Sequence, residues 1–146
     1  MLNKRLFIFA YDTHCTIPTS GSATITSDCI LYSQIVVTGS LNITGVPDAQ
    51  GNLPKIIGGG SNRLFKVESG GELVVKYLNL TGGRNSVGGA INSHGTVRTA
   101  NCVFYDNMAG HGGAVYIGAG SSGSDSVDYV SINTRYAHNF ASYDYK

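Results

Sequence analysis

Residues 71–93 (GELVVKYLNLTGGRNSVGGAINS) lie without a gap over residues 95–117 (GTVRTANCVFYDNMAGHGGAVYI), an offset of 24. Leu73 falls on Val97, Leu78 on Cys102, Leu80 on Phe104, Gly88 and Gly89 on Gly112 and Gly113, and Ile91 on Val115. A period of this length restricts the chain to architectures that stack one supersecondary unit on the next. Each unit buries its apolar face only against its neighbours.

Carried backwards, the same offset gives apolar columns. One runs Tyr32, Ile56, Leu80, Phe104, and a second runs Ile30, Pro54, Leu78, Cys102. A third runs Ile25, Ala49, Leu73, Val97, and a fourth runs Ile43, Val67, Ile91, Val115, with Leu41, Phe65, Gly89 and Gly113 two positions before the fourth. The alternation at Phe65-Lys66-Val67 has period 2, the strand signature, with Lys66 outward. After Ile117 the register resumes once eight residues are allowed for: Phe104 maps to Tyr136 and Asn107 to Asn139, each 32 apart. Each repeat holds runs of three to six residues broken by Gly, Asn or Ser, and 24 residues fall short of the roughly 40–45 that a four-stranded propeller blade needs. They predict an all-β chain, a right-handed parallel β-helix (solenoid) of about five 24-residue coils with three short strands per coil. Residues 1–16 are expected to form a cap or first strand. Residues 17–146 are expected to form the β-helix domain, with a loop insertion at 118–125 and a last coil cut short at Lys146.

Glycine pairs Gly58/Gly82 and Gly59/Gly83 are expected at corners that need positive φ or close backbone approach. Asn107 and Asn139 take over the second of these columns, where Asn tolerates left-handed backbone and can bond along a ladder. Only 13% of residues are charged and the formal net charge is +1, so bulk charge points to no nucleic acid or polyanion. The apolar run Leu6–Ala10 is too short for a signal-peptide core or a membrane span. No transmembrane segment and no clear signal peptide are expected. Cys15 and Cys29 could pair in an oxidising compartment, but three cysteines leave at least one free and fix no framework. Cys102, in the inward column, reads as a buried inert thiol. Asn42-Ile43-Thr44 and Asn79-Leu80-Thr81 are N-glycosylation sequons, which chance explains as readily as use.

GGAI at Gly88, Gly89, Ala90 and Ile91, GGAV at Gly112, Gly113, Ala114 and Val115, and FYDN from Phe104 to Asn107 resemble the paired GGA[ILV] and FxxN motifs of the polymorphic outer membrane protein repeat. YAHN from Tyr136 to Asn139 is a weaker copy. That repeat belongs to the pectin-lyase-like right-handed β-helix class. The resemblance implies a passenger domain of a secreted or surface-attached protein, extracellular or in the cell envelope or outer membrane, with a role in adhesion. Its motifs are structural and carry no activity.

Enzymes of the pectin-lyase-like class work with clustered carboxylates on an outer face. Shifting by one repeat stacks only Asp48 with Glu72, which reads as a solvated corner. The other candidate catalytic pair is Asp106 under His138, where an imidazole over a carboxylate could act as a general base. Arg84 and His111 fall on the same edge, and Tyr77 and Tyr105 could stack on sugar rings. No spacing of residues points to a metal ligand set. Two functions follow. The first is a non-enzymatic scaffold or interaction domain whose partner is a protein or a cell-surface glycan, through loops 47–52 and 118–125 and a ridged face. The second is a carbohydrate-active module, a polysaccharide lyase or glycoside hydrolase if an enzyme, binding or cleaving acidic polysaccharide. No cofactor is expected, and Ca²⁺ enters only under the second reading. An uncapped end of the stack exposes strand edges, so self-association is expected there.

Overall fold

The computed structural model describes residues 14–59, 61–119 and 127–142. The expected apolar strand at Leu6–Ala10, and the insertion beyond residue 119 up to residue 126, lie outside the described residues. Among the described residues there is no helix, and all regular structure is strand.

In chain order the strands are β1 (Gly21–Ile25), β2 (Cys29–Leu31), β3 (Ile35–Val37), β4 (Ser40–Gly45), β5 (Lys55–Gly58) and β6 (Phe65–Val67). Then come β7 (Glu72–Lys76), β8 (Asn79–Thr81), β9 (Arg84–Val87), β10 (Ile91–Ser93), β11 (Thr96–Ala100) and β12 (Val103–Tyr105). The last are β13 (Met108–His111), β14 (Val115–Ile117), β15 (Asp128–Ile132), β16 (Arg135–Ala137) and β17 (Phe140–Ala141). They form four sheets in which every pairing is parallel: β1-β4-β7-β11-β15, β2-β5-β8-β12-β16, β3-β6-β10-β14 and β9-β13-β17.

This corrects the expected right-handed β-helix of 24-residue coils with three strands each. The described residues form 17 strands in four separate parallel sheets, and no closed solenoid is found among them. The missed sheet, β9-β13-β17, is built from runs of two to four residues (RNSV, MAGH, FA), the first two polar or glycine-containing, that carry no apolar alternation. The period is also not constant. Paired residues stand 24 apart from Glu72 to Thr96 and from Asn79 to Val103, but 20 from Gly21 to Leu41 and 27 from Cys29 to Ile56. They stand 30 apart from Ile35 to Phe65 and 32 from Leu41 to Leu73.

The columns slip accordingly. Ile56 meets Cys29 rather than Tyr32, which is exposed, and Ile57 meets Ile30. Leu73 meets Leu41 rather than Ala49, Ile25 meets Gly45, and Ile91 meets Phe65 rather than Val67. Glycines 89 and 113 lie outside the strands, between sheets. The later register holds: Leu80, Phe104 and Tyr136 are successive partners, and the Phe104 and Tyr136 rings stack 5.0 Å apart.

The core lies between the sheets, with alternate strand residues pointing in. On β4 the pattern is strict: Leu41, Ile43 and Gly45 are buried, while Ser40, Asn42 and Thr44 face out. Phe65, Leu73, Val75, Leu80, Ile91, Val97 and Phe104 are fully enclosed. Burying each such side chain contributes about 1.5–3 kcal/mol, and parallel stacking multiplies the effect because each column is apolar along its length. The core changes character at the last strands. The inward column Val75, Thr99, Ser131 turns from methyl to hydroxyl, and Thr99 Oγ1 lies 3.1 Å from Ser131 Oγ and 3.3 Å from Thr134 Oγ1.

Corners follow a second ladder. Gly88 and Gly112, 24 apart, both have left-handed backbone at φ +62° and +61°, the conformation that suits glycine. The next glycine of each motif meets backbone instead: a Cβ on Gly89 would sit 2.1 Å from the Gly113 carbonyl oxygen. Ala90 is then enclosed, and its carbonyl accepts from both Leu64 N and Phe65 N. These contacts give the GGA[ILV] motif its structural content. At the start of the described chain, Cys15 and Cys29 form a disulfide and His14 bridges to Ile30.

Candidate functional site

The corner between β12 and β13 carries most of the residues singled out from sequence. Asp106 and His138 occupy equivalent places on successive tiers, below Gly82, and all three have left-handed backbone, with φ of 53° at Asp106 and 54° at His138. Two non-glycine residues thus stand where the chain turns out of one sheet into the next, at a cost of about 1–2 kcal/mol each. Their side chains go separate ways. The Asp106 carboxylate lies 3.8 Å from Arg84 Nη2, and Arg84 Nη1 donates to the Asp106 carbonyl at 3.1 Å. The His138 ring packs edge-on against Tyr105, with centroids 5.1 Å apart.

The expected Asp106–His138 dyad is therefore not formed. The ion pair is solvent-exposed, so its contribution is at most about 1 kcal/mol. Arg84 lies on this edge beside Asp106. His111 ends β13 opposite Val87, and its carbonyl accepts from Gly88 N, which places it at the GGA corner rather than against Asp106. Tyr77 and Tyr105 are both exposed but do not form one platform. Tyr77 turns the chain into β8 with φ 55°, whereas Tyr105 pairs with Thr81 at the far end of that strand, roughly 13 Å along it.

The stacked Asp48–Glu72 pair is also overturned, since Ser40 is the partner of Glu72. Asp48 closes its own turn. Its Oδ1 accepts from Gln50 N at 2.9 Å and Asn52 N at 2.8 Å, and its Oδ2 accepts from Asn52 Nδ2 at 2.9 Å. These bonds, the Asn52 side chain first, hold the carboxyl below its usual range. Cys102 is buried, and burial pushes its thiol up while Sγ donates to the Val75 carbonyl. Among the described residues, no group of three or more His, Cys, Asp or Glu converges as a metal site.

Below the corner lies the FxxN ladder. Asn107 is buried, and its Oδ1 accepts from Gly83 N at 2.9 Å. Its Nδ2 donates to the Leu80 carbonyl at 3.0 Å and to Asn139 Oδ1 at 2.9 Å. Asn139 repeats the arrangement, with Oδ1 accepting from Asn107 N and Nδ2 donating to the Phe104 carbonyl. The expected ladder is present, but the left-handed residues are Asp106 and His138, one position earlier.

Sequence reasoning missed Arg63. It is 6% exposed and meets no carboxylate among the described residues. Nε donates to the Val87 and Gly88 carbonyls, Nη1 to Gln34 Oε1, and Nη2 to Asn85 Oδ1 and the Val87 carbonyl, at 2.7–3.1 Å. Burial pulls the guanidinium below its ordinary value. No motif flags it, because its acceptors come from two separate segments, Gln34 and residues 85–88.

The broadest outward surface belongs to the sheet β1-β4-β7-β11-β15. Ser22, Asn42, Val74, Arg98 and Val130 form one outward column, flanked by Thr24, Thr44, Lys76, Ala100 and Ile132. Arg98 spans the tiers, 3.6 Å from both Glu72 and Asp128. Beside it Val74, Lys76, Val130 and Ile132 line a shallow cleft of about 320 Å³. Comparison with protein families, curated proteins and solved structures finds no match. No helix among the described residues is long and apolar enough to cross a membrane.

Proposed function

We propose that this chain is a non-enzymatic scaffold or interaction domain of a secreted or cell-surface, adhesin-like protein, related to polymorphic outer membrane protein repeats. The observation that carries the reading is how its polar side chains are used. Asp106 is taken up by Arg84, His138 by Tyr105, and Asn107, Asn139 and Arg63 by backbone and amide groups of the fold. Residues that would supply chemistry hold corners instead. The Cys15–Cys29 disulfide supports export, since such bonds persist in oxidising compartments. The outward column through Val74, Arg98 and Val130 offers a partner, a protein or a cell-surface glycan, a flat mixed apolar and charged surface.

The carbohydrate-active alternative draws on exposed Tyr77 and Tyr105, which the register holds too far apart to clamp one sugar. The test is a glycan array, with and without Ca²⁺, run beside a product assay on pectic and alginate-type polymers. Binding unchanged by Asp106→Ala with His138→Ala, weakened at least tenfold by Val74→Asp with Val130→Asp, and accompanied by no released oligosaccharide is the expected result. Released oligosaccharide that disappears in the Asp106/His138 variant would overturn the proposal.

A further inference from the structure

The two sequons stand in opposite environments. Asn42-Ile43-Thr44 lies on β4 with Ile43 enclosed, so Asn42 and Thr44 both project outward and are exposed. No hydrogen bond occupies the Asn42 side chain among the described residues. Its lateral neighbours are Ser22 on β1 and Val74 on β7, and Ser40 and Thr44 flank it on its own strand. Small hydroxyl side chains therefore surround three sides of this amide, leaving room for a bulky substituent.

Asn79-Leu80-Thr81 on β8 differs at each point. Asn79 is half-buried between Lys55 and Val103, and its Oδ1 is enclosed without a hydrogen-bond partner. A sugar linked to that amide would have to emerge through packed neighbours.

We propose that Asn42 is an N-glycosylation site and that Asn79 is not, an inference that rests on the export reading above. The donor is a polyprenyl-diphosphate-linked oligosaccharide. The Asn42 amide nitrogen forms a bond to C1 of the first sugar, the C1–oxygen bond to the diphosphate breaks, the nitrogen gives up a proton, and polyprenyl diphosphate leaves. On the fold, Asn42 presents its amide from the outward side of β4, whereas the Asn79 amide oxygen is enclosed, so only the first leaves room for the product. A glycan on Asn42 stands off the widest sheet face without displacing any core residue.

The test uses the full chain isolated from the cells that make it, with peptide mass mapping of both sequons and of the Cys15–Cys29 bridge in one sample. One glycan at Asn42, lost completely in Asn42→Gln and Thr44→Ala and retained in Asn79→Gln, is the expected result. A bare Asn42 in chains whose disulfide is formed overturns the inference and leaves the export reading standing. A bare Asn42 with both thiols free overturns both. A glycan on Asn79 alone overturns the assignment between the sites.

Discussion

Arg63 enters the interior and is held by neutral oxygens, with no carboxylate beside it among the described residues. Five contacts at 2.7–3.1 Å come from Gln34, Asn85, Val87 and Gly88. The planar fork reaches acceptors on two segments at once, Gln34 and residues 85–88, and fixes the entry to the Gly88 corner. A lysine ammonium has three donors on one atom and cannot reproduce that geometry. Arg63→Lys should therefore destabilise the chain by about 3 kcal/mol, because hydrogen bonds to a charged donor are lost and buried carbonyls are left unpaired. Urea unfolding of the variant checks this, and a loss within experimental error would show that the guanidinium is dispensable. At Asp106 and His138 the backbone, rather than the side chain, is the demanding feature. Each holds a left-handed turn that Gly82 fills on the preceding tier, so their alignment in sequence reflected a shared corner and not a shared proton.

Ladders of like residues transmit order from one strand to the next. In the FxxN column, Asn107→Ala leaves Gly83 N–H buried without its acceptor and removes one donor from the Leu80 carbonyl, an expected loss of about 2 kcal/mol. Asn139→Ala, on the exposed last tier, should cost roughly half as much on the same count. Equal melting shifts in the two variants would contradict the ladder's direction. Phe104→Asp places a carboxylate between Leu80 and Tyr136 and should cost more than about 4 kcal/mol, enough to prevent cooperative folding. A circular dichroism melt within 2 °C of the parent, roughly a fraction of a kcal/mol, would remove Phe104 from the core. These columns were legible from sequence because residues 71 to 117 run without insertion, so spacing alone sets register. Before Lys55 the intervals change to 20, 27, 30 and 32, and a fixed offset selects exposed Tyr32 where Cys29 belongs. The fourth sheet and the Arg63 clamp escaped notice for a related reason. Short corner strands have no periodicity to detect, and a side chain bonded to two segments more than 20 residues away leaves no local pattern.

Across the whole molecule, stability should grade from the middle outward. The enclosed residues concentrate on β6, β7, β8, β10, β11 and β12, whereas Ile132, Tyr136 and Phe140 on the last strands are 61%, 44% and 56% exposed. Native-state hydrogen exchange should be slowest at Leu73, Leu80 and Val97 and fastest along β15, β16 and β17. Uniform protection across all four sheets would mean that the tiers open together. At the exposed end, the hydroxyls of Thr99, Ser131 and Thr134 and the contact between the Tyr129 and Tyr136 hydroxyls give the interior a polar terminus. Water can meet that terminus more cheaply than it can meet a Leu column.

The parallel order has a mechanical side. β1 and β3 are edge strands at one end of their sheets, and β14, β15, β16 and β17 are edges at the other, so the described chain starts and finishes at opposite ends of the stack. Tension applied between those ends runs along the direction of the ladder bonds and loads the outermost tier first. The molecule should then lengthen in discrete steps as tiers peel away. The intervals of 20 to 32 residues between partners set each step at roughly 70–110 Å of extended chain. The Cys15–Cys29 loop withholds the 14-residue separation between those cysteines until it is reduced. A parallel sheet loaded at its edge strands would give up length strand by strand while its central strands stay paired.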